Sequence, residues 1–263
     1  MKDKLTISSC PAEVVPVAEI RGISKIPLNM TKKTMAKRMT QSAQEIPQFA
    51  VSIEIDADEL AVGRSRINAG VTDDELRVSV TALLVWLTGR ALCKHPLLNA
   101  RFDQDAVIMH ETVNIAVAMD TVDGLKAPVI HNAGVLELID INRALKDLSS
   151  RAGTKKLAMS DFADATFTIS NLGMMGVTRF TPLVNPPQSA ILGIGGPRTG
   201  VKLQDGKLVS VQTIELTVSA DHRILDGATV ARFLQTLKES VNLHFSQTLE
   251  ICEKCTSAAR TCG

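Results

Sequence analysis

Apolar and polar positions alternate most sharply from Phe49 to Asp56, where Phe49, Val51, Ile53 and Ile55 take every second place. That period of two predicts a strand with one buried face. From Leu208 to Ser219 the alternation is looser and predicts one or two strands ending just before Asp221. Helical spacing appears before and between these runs. Asn29 and Thr31 can each cap a helix reaching Ala43, with Met35, Met39 and Ala43 on one face and Lys32, Lys33 and Lys37 on another. A second helix is expected from near Asp58 to Asn68-Ala69-Gly70. Leu76 to Lys94, apolar around Leu83, Leu84, Trp86 and Leu87, predicts a core helix that Pro96 ends.

Strand-like segments follow at Val107 to Met109, Val113 to Met119 and Ala127 to Ile130, the last two joined by a turn at Asp123-Gly124. Leu136 to Ser150 reads as a helix, and Ala165 to Ile169 and Ala190 to Ile194 as buried strands. Ala228 to Lys238 carries Val230, Phe233, Leu234 and Leu237 on one helical face. Helices and strands interleave throughout. The fold class is therefore α/β, or α+β in two layers, with a mixed sheet and packed helices. Residues 1–20 lack sustained periodicity and are expected to form an extended arm before one catalytic domain over 21–245.

Composition narrows the functional classes. The 263 residues are 45% hydrophobic and 22% charged, enough for one large core or two small ones, and one catalytic domain is expected. Lys and Arg number 29 against 28 Asp and Glu, and the basic residues are dispersed. With seven Phe, one Trp and no Tyr, neither charge nor base stacking makes a case for nucleic acid. No apolar run is long enough for a membrane span or a signal peptide, so a soluble intracellular protein is expected, cytoplasmic or in the mitochondrial matrix of a eukaryote. Five cysteines are an odd number, and Cys252, Cys255 and Cys262 crowd the last dozen residues. A disulfide framework is not indicated, and no histidine completes a metal set of familiar spacing there. Residues 246–263 are read as a tail and no metal is expected.

The candidate chemistry lies in Asp221-His222-Arg223-Ile224-Leu225-Asp226-Gly227, between the last strand and the last helix. A strand-to-helix turn on a rigid scaffold is where a reactive side chain is commonly held. Imidazole, with an ordinary pKa of about 6.5, can accept a proton from a thiol of about 8.5 at a cost of roughly 3 kcal/mol. The bland alternative is that His222 finishes the turn while Asp226 caps the following helix. Gly193-x-Gly195-Gly196 is followed by Pro197, so it does not open the helix that a dinucleotide fingerprint needs.

The His222 segment resembles the His-Arg-x-x-Asp-Gly signature of the dihydrolipoyl acyltransferases, the core components of 2-oxoacid dehydrogenase complexes and fold relatives of chloramphenicol acetyltransferases. Further segments match in the family's order: Thr34-Met35-Ala36-Lys37-Arg38-Met39 with Ile46-Pro47-Gln48-Phe49; Val113 to Thr121 leading to Gly124-Leu125; Thr166 to Gly173; and Asn185 to Gly193. The resemblance runs from about Arg21 to Phe245. It implies a chloramphenicol-acetyltransferase-like fold and acyl transfer between dihydrolipoamide and coenzyme A.

By the same resemblance His222 is the general base, Ser170 the oxyanion donor and Asp226 a support of the active-site loop. Asn171 and Arg38 become candidates for substrate or coenzyme A binding, while Asn114 and Asp120 shape the dihydrolipoyl side. A homotrimer is implied, with each site between subunits and the histidine of one facing the serine of another. The cysteine-bearing tail departs from the family's apolar ending, which leaves a larger shell open. Only about twenty residues precede the catalytic segment. The expectation is either a core cut from a longer enzyme or a lipoyl group supplied by a separate domain or protein, alongside the other dehydrogenase components. Two alternatives stand beside this reading: a coenzyme A-dependent enzyme with a small-molecule acceptor, and a non-catalytic trimeric scaffold. Gln48, where the family often has His, bears with Phe49 on the choice of acyl group.

Overall fold

In the computed structural model the described residues are 26–73, 76–121, 123–204 and 206–241. The expected N-terminal arm, Cys10, His244 and the tail with Cys252, Cys255 and Cys262 lie outside them. The helices are α1 (Met30–Glu45), α2 (Ala57–Ile67), α3 (Val80–Lys94), α4 (Leu138–Gly153) and α5 (227–241). The strands are β1 (Gln48–Asp56), β2 (Ala100–Asp103), β3 (Ala106–Met109), β4 (Ile115–Val117), β5 (Val129–Ile130), β6 (Phe167–Asn171), β7 (Ala190–Ile194), β8 (Arg198–Gln204) and β9 (Lys207–Asp221).

Seven strands form one mixed sheet in the order β1-β9-β7-β6-β4-β5, with β8 also paired to β9. The β4–β6 and β6–β7 pairs are parallel, whereas β1–β9, β7–β9 and β4–β5 are antiparallel. The expected mixed sheet with packed helices is what forms. β2 and β3 make a separate hairpin.

Strand alternation sorts the two faces of the sheet. Ile115, Phe167, Ile169, Leu192, Leu216, Val218 and Ala220 enter one apolar core with Leu60 of α2, Leu83 and Leu87 of α3, Ile141 of α4 and Phe233 of α5. The opposite face carries Ser52, Thr168, Ser170, Thr217, Ser219 and Asp221. Its polar groups pair with one another, as in the 2.8 Å hydrogen bond between Ser52 Oγ and Thr217 Oγ1.

Three expectations need correction. The Met35, Met39 and Ala43 stripe is not buried; Ser42 is the buried residue of α1, because its hydroxyl donates to Val184 O at 2.5 Å. α3 begins at Val80 rather than Leu76, since Ser79 caps it by accepting from Ala82 N. β2 and β8 arise where no element was expected. β2 is only four residues long, and β8 carries a glycine in its middle and leaves Val201 and Leu203 exposed, so neither has a buried face to mark it. Among the described residues no helix is long and apolar enough to cross a membrane.

Candidate active site

β9 ends at Asp221, and its last residue begins a tight turn: Asp221 O accepts from the N–H groups of Ile224 and Leu225 at 3.1 and 2.9 Å. His222 projects from this turn and is exposed. Its backbone N–H donates to Pro47 O at 2.9 Å. Its ring lies against Phe49, with centroids 4.3 Å apart and planes inclined by 42°. The Pro47-Gln48-Phe49 segment thus holds the imidazole on one side.

Gln48 fixes that segment. Its Nε2 donates to Ser42 O and Oγ at 3.0 and 2.9 Å, and its Oε1 accepts from Val184 N at 2.9 Å. One side chain therefore ties α1, β1 and the segment before β7 together. A glutamine can do this because its amide both donates and accepts.

The neighbours of His222 are clamped to each other. Asp221 is buried, and its Oδ1 accepts from Arg223 N and Nε at 3.0 and 2.9 Å while Oδ2 accepts from Nη2 at 2.6 Å. The Arg223 guanidinium also lies 4.2 Å from the centre of the Phe102 ring, within cation–π range. This clamp raises the Arg223 pKa, chiefly through its hydrogen bonds to Asp221. It was not anticipated, because neither β2 nor the pairing of residues two apart in a turn has a mark in the sequence.

Asp226 caps α5: its Oδ1 accepts from Thr229 N at 2.6 Å. That bond, foremost among several, holds its carboxyl below the ordinary carboxylate range. The bland reading of Asp226 is thus realised. Capping also fixes where α5 starts, and with it the end of the turn that carries His222.

Ser170 is half-buried on the polar face of β6, and no described residue engages its hydroxyl. Asn171 ends β6 and braces the loop beyond it, donating from Nδ2 to Thr81 Oγ1 at 3.1 Å and accepting at Oδ1 from Gly173 N at 2.9 Å. That loop folds back over β7. A Cβ on Gly193 would meet Pro182 Cδ at 3.0 Å and Phe180 Cζ at 3.1 Å, and one on Gly195 would fall against Thr178 O. These glycines serve the close approach of the loop, in agreement with their dismissal as a phosphate fingerprint.

The register fixes how His222 and Ser170 of one chain are disposed. Ser170 pairs with Gly193, and Gly193 with Thr217. Ser170 is therefore level with Thr217, five residues before His222 on β9. Five residues of strand span about 17 Å, before the two intervening strand spacings of about 4.8 Å each are counted. One chain does not bring the two side chains together. Arg38 lines a cavity it shares with Arg101, His110 and Asn114. Asn114 also ties β4 to its surroundings, donating to Asp164 O and accepting from Asn132 N, both at 2.9 Å. Asp120 is exposed. Arg101 and His110 had no sequence signal as site residues.

Known proteins share this architecture. The profile of a family described as 2-oxoacid dehydrogenases acyltransferase (catalytic domain) matches residues 21–249. The dihydrolipoyllysine-residue acetyltransferase component of the pyruvate dehydrogenase complex of Rickettsia felis is 36% identical over 217 residues, 82% of this chain and 53% of that protein. The chain thus spans about half the length of such curated relatives. The dihydrolipoamide acetyltransferase of Azotobacter vinelandii has a TM-score of 0.79 and 31% identity, covering 88% of this chain and 96% of its own. A serine, a histidine and an asparagine have been investigated in the catalytic mechanism of that enzyme. The cubic core of a pyruvate dehydrogenase multienzyme complex matches with the same values. A chloramphenicol acetyltransferase shares the fold alone, with a TM-score of 0.51 and 13% identity over 78% of this chain and 94% of its own.

Proposed function

The chain belongs to the family of 2-oxoacid dehydrogenase acyltransferase catalytic domains, and from that premise we propose that it moves an acyl group between dihydrolipoamide and coenzyme A at a site shared by two copies. His222 of one copy takes the proton from the attacking thiol. The thiolate adds to the thioester carbonyl, and the hydroxyl of Ser170 from another copy donates to the oxyanion that forms. Collapse expels the second sulfur, which recovers the proton from the imidazolium. No acyl-enzyme is needed.

The observation that carries this reading is the register: it separates His222 from Ser170 along β9 and β6 by far more than a reacting carbon can bridge, so a competent pair needs two chains. A homotrimer with closed rotational symmetry supplies such pairs at every interface. Support also comes from the Azotobacter enzyme, whose investigated serine and histidine are 52 residues apart, with the asparagine four further on. Ser170, His222 and Asp226 stand at the same intervals, with aspartate here in the asparagine's place. Asp226 acts by capping α5 beside the turn, Asn171 by shaping the chain after Ser170, and Arg38 by binding substrate. The trimer serves as a core for the other dehydrogenase components, and the lipoyl group reaches it on a lipoyl domain or protein. The setting is the cytoplasm, or the mitochondrial matrix in a eukaryote.

Losing one oxyanion donor typically costs about 3 kcal/mol of barrier, roughly a hundredfold in rate. His222→Ala and Ser170→Ala should each be nearly inactive as pure proteins. Co-refolded in equal amounts they should regain activity, because random reassortment leaves about one site in four with both residues intact. Mixtures as inactive as the parents would reject a shared site.

A further inference from the structure

His222 is exposed, and two contacts restrict it: its backbone N–H reaches Pro47 O at 2.9 Å, and its ring lies 4.3 Å from that of Phe49. Both come from residues that flank Gln48. The strand ladder alone holds this segment weakly. Gln48 opens β1 and pairs with Asp221, which closes β9, so the rung beside His222 is terminal and Pro47 lies beyond it. Terminal rungs fray, and a proline has no N–H with which to anchor itself.

The Gln48 side chain supplies the anchor. The carbonyl of Ser42 accepts from Ile46 N at 3.2 Å and from Gln48 Nε2 at 3.0 Å, so the proline that holds His222 is bracketed by two donors to one oxygen. That oxygen belongs to a buried residue. Gln48 Nε2 also donates to Ser42 Oγ, Ser42 Oγ donates to Val184 O, and Val184 N donates to Gln48 Oε1. The circuit of hydrogen bonds is closed, and Val184 within it is buried in one cluster with Ile46 and Ile191. No apolar side chain can replace an amide that donates and accepts at once.

We propose that Gln48 is a positioning residue for the general base: through Pro47 and Phe49 it sets the direction in which the His222 imidazole points. This rests on the acyltransferase reading above, since only a reaction that uses His222 makes that direction matter. A misplacement of about 1 Å at a reacting group can cost about a hundredfold in rate. The described bonds of the Gln48 amide all run to Ser42 and Val184, so it acts through the turn and not on the substrate. Val184 also follows Phe180 and Pro182, which lie over Gly193 beside Ser170. The rival reading is therefore that Gln48 serves the serine side.

The test places Gln48→Leu on one side of a shared site. In co-refolded mixtures of His222→Ala with Ser170→Ala, every competent site takes its histidine from the Ser170→Ala chain and its serine from the His222→Ala chain. Gln48→Leu added to the Ser170→Ala chain should lower kcat about 10- to 100-fold with KM little changed, and added to the His222→Ala chain it should change kcat by less than about threefold. Gln48→Glu, which keeps the acceptor for Val184 N and loses both donors, should lower kcat about 10-fold on the same side, and keeps the test decisive if the Leu chain does not assemble. In proteins carrying only the Gln48 change, the ring-proton NMR signal of His222, assigned by its absence in His222→Ala, should lose the ring-current shift from Phe49. Equal loss from either chain would make Gln48 merely structural, a loss confined to the serine-supplying chain would place its action at Ser170, and a loss for succinyl but not acetyl transfer would make it a selectivity residue. Each overturns the proposal, as does an unmoved His222 signal. A mixture without the Gln48 change that is inactive, while the signal still moves in the Gln48 variants, would uphold the positioning of the imidazole and refute the shared acyltransferase site.

Discussion

Arg223→Met is expected to cost more stability than Asp221→Asn, although both changes break the same ion pair. The Asp221 side chain is 2% exposed and that of Arg223 is 32% exposed. Without the guanidinium, the carboxylate keeps only the Arg223 N–H as a donor and is left as a buried charge. Breaking a buried pair in this way costs about 3–5 kcal/mol, and partial hydration of Arg223 places the case near the low end, at about 3. Asp221→Asn leaves a cation that can turn toward water over Phe102, with an amide oxygen still accepting from Arg223. Its cost should be about 1 kcal/mol.

Replacing both residues by apolar ones, as Asp221→Leu with Arg223→Met, should recover most of the larger loss, since no charge is then stranded. Urea unfolding at fixed protein concentration, followed by far-UV circular dichroism and Trp86 fluorescence, gives the ranking and the coupling between the two sites. Equal costs for the single variants, or a double variant worse than Arg223→Met alone, would refute this account of the clamp.

Gly195→Ala should damage the protein more than Gly193→Ala. The new Cβ meets the Thr178 backbone in the first case, and the Pro182 and Phe180 side chains in the second. Overpacking of about 1–3 kcal/mol is expected where side chains can yield, and more where backbone must move, so thermal unfolding should separate the two and the reverse order would be contrary. His95 makes a 2.8 Å hydrogen bond to Thr236 and meets Phe233 edge-on; burial first, then Arg232 and Lys94, lower its pKa. Its contribution is then complete above the unfolded value of about 6.5 and is lost as pH falls toward the lower folded value, because the unfolded chain binds the proton first. His95→Gln should flatten the stability–pH curve over that window; an unchanged slope would show that another group sets it.

Local chemistry made much of this protein legible in its residue order. The alternation of Phe49 to Ile55 became β1 because only a period of two can bury those four side chains on one face. Asn29 caps α1 through Lys32 N, and Asp226 caps α5, each by a carboxamide or carboxylate oxygen satisfying a free helix N–H. His222 was marked by its motif and by its place between a strand and a helix. The start of α3 was missed because the apolar pattern extends back to Leu76, ahead of Ser79, whose side chain caps the first turn.

What tertiary structure decided is which distant segments meet. Nothing local tells that Gln48 will join Ser42 to Val184, that Arg223 will rest on Phe102, or that Arg101 and Arg38 will share a cavity. Nor does the motif order say that Ser170 lies level with Thr217 rather than beside His222. Register is a property of paired strands, set by the burial of whole faces across the sheet. A linear sequence therefore names the groups, and the pairing of strands fixes whether one chain or two must bring them together.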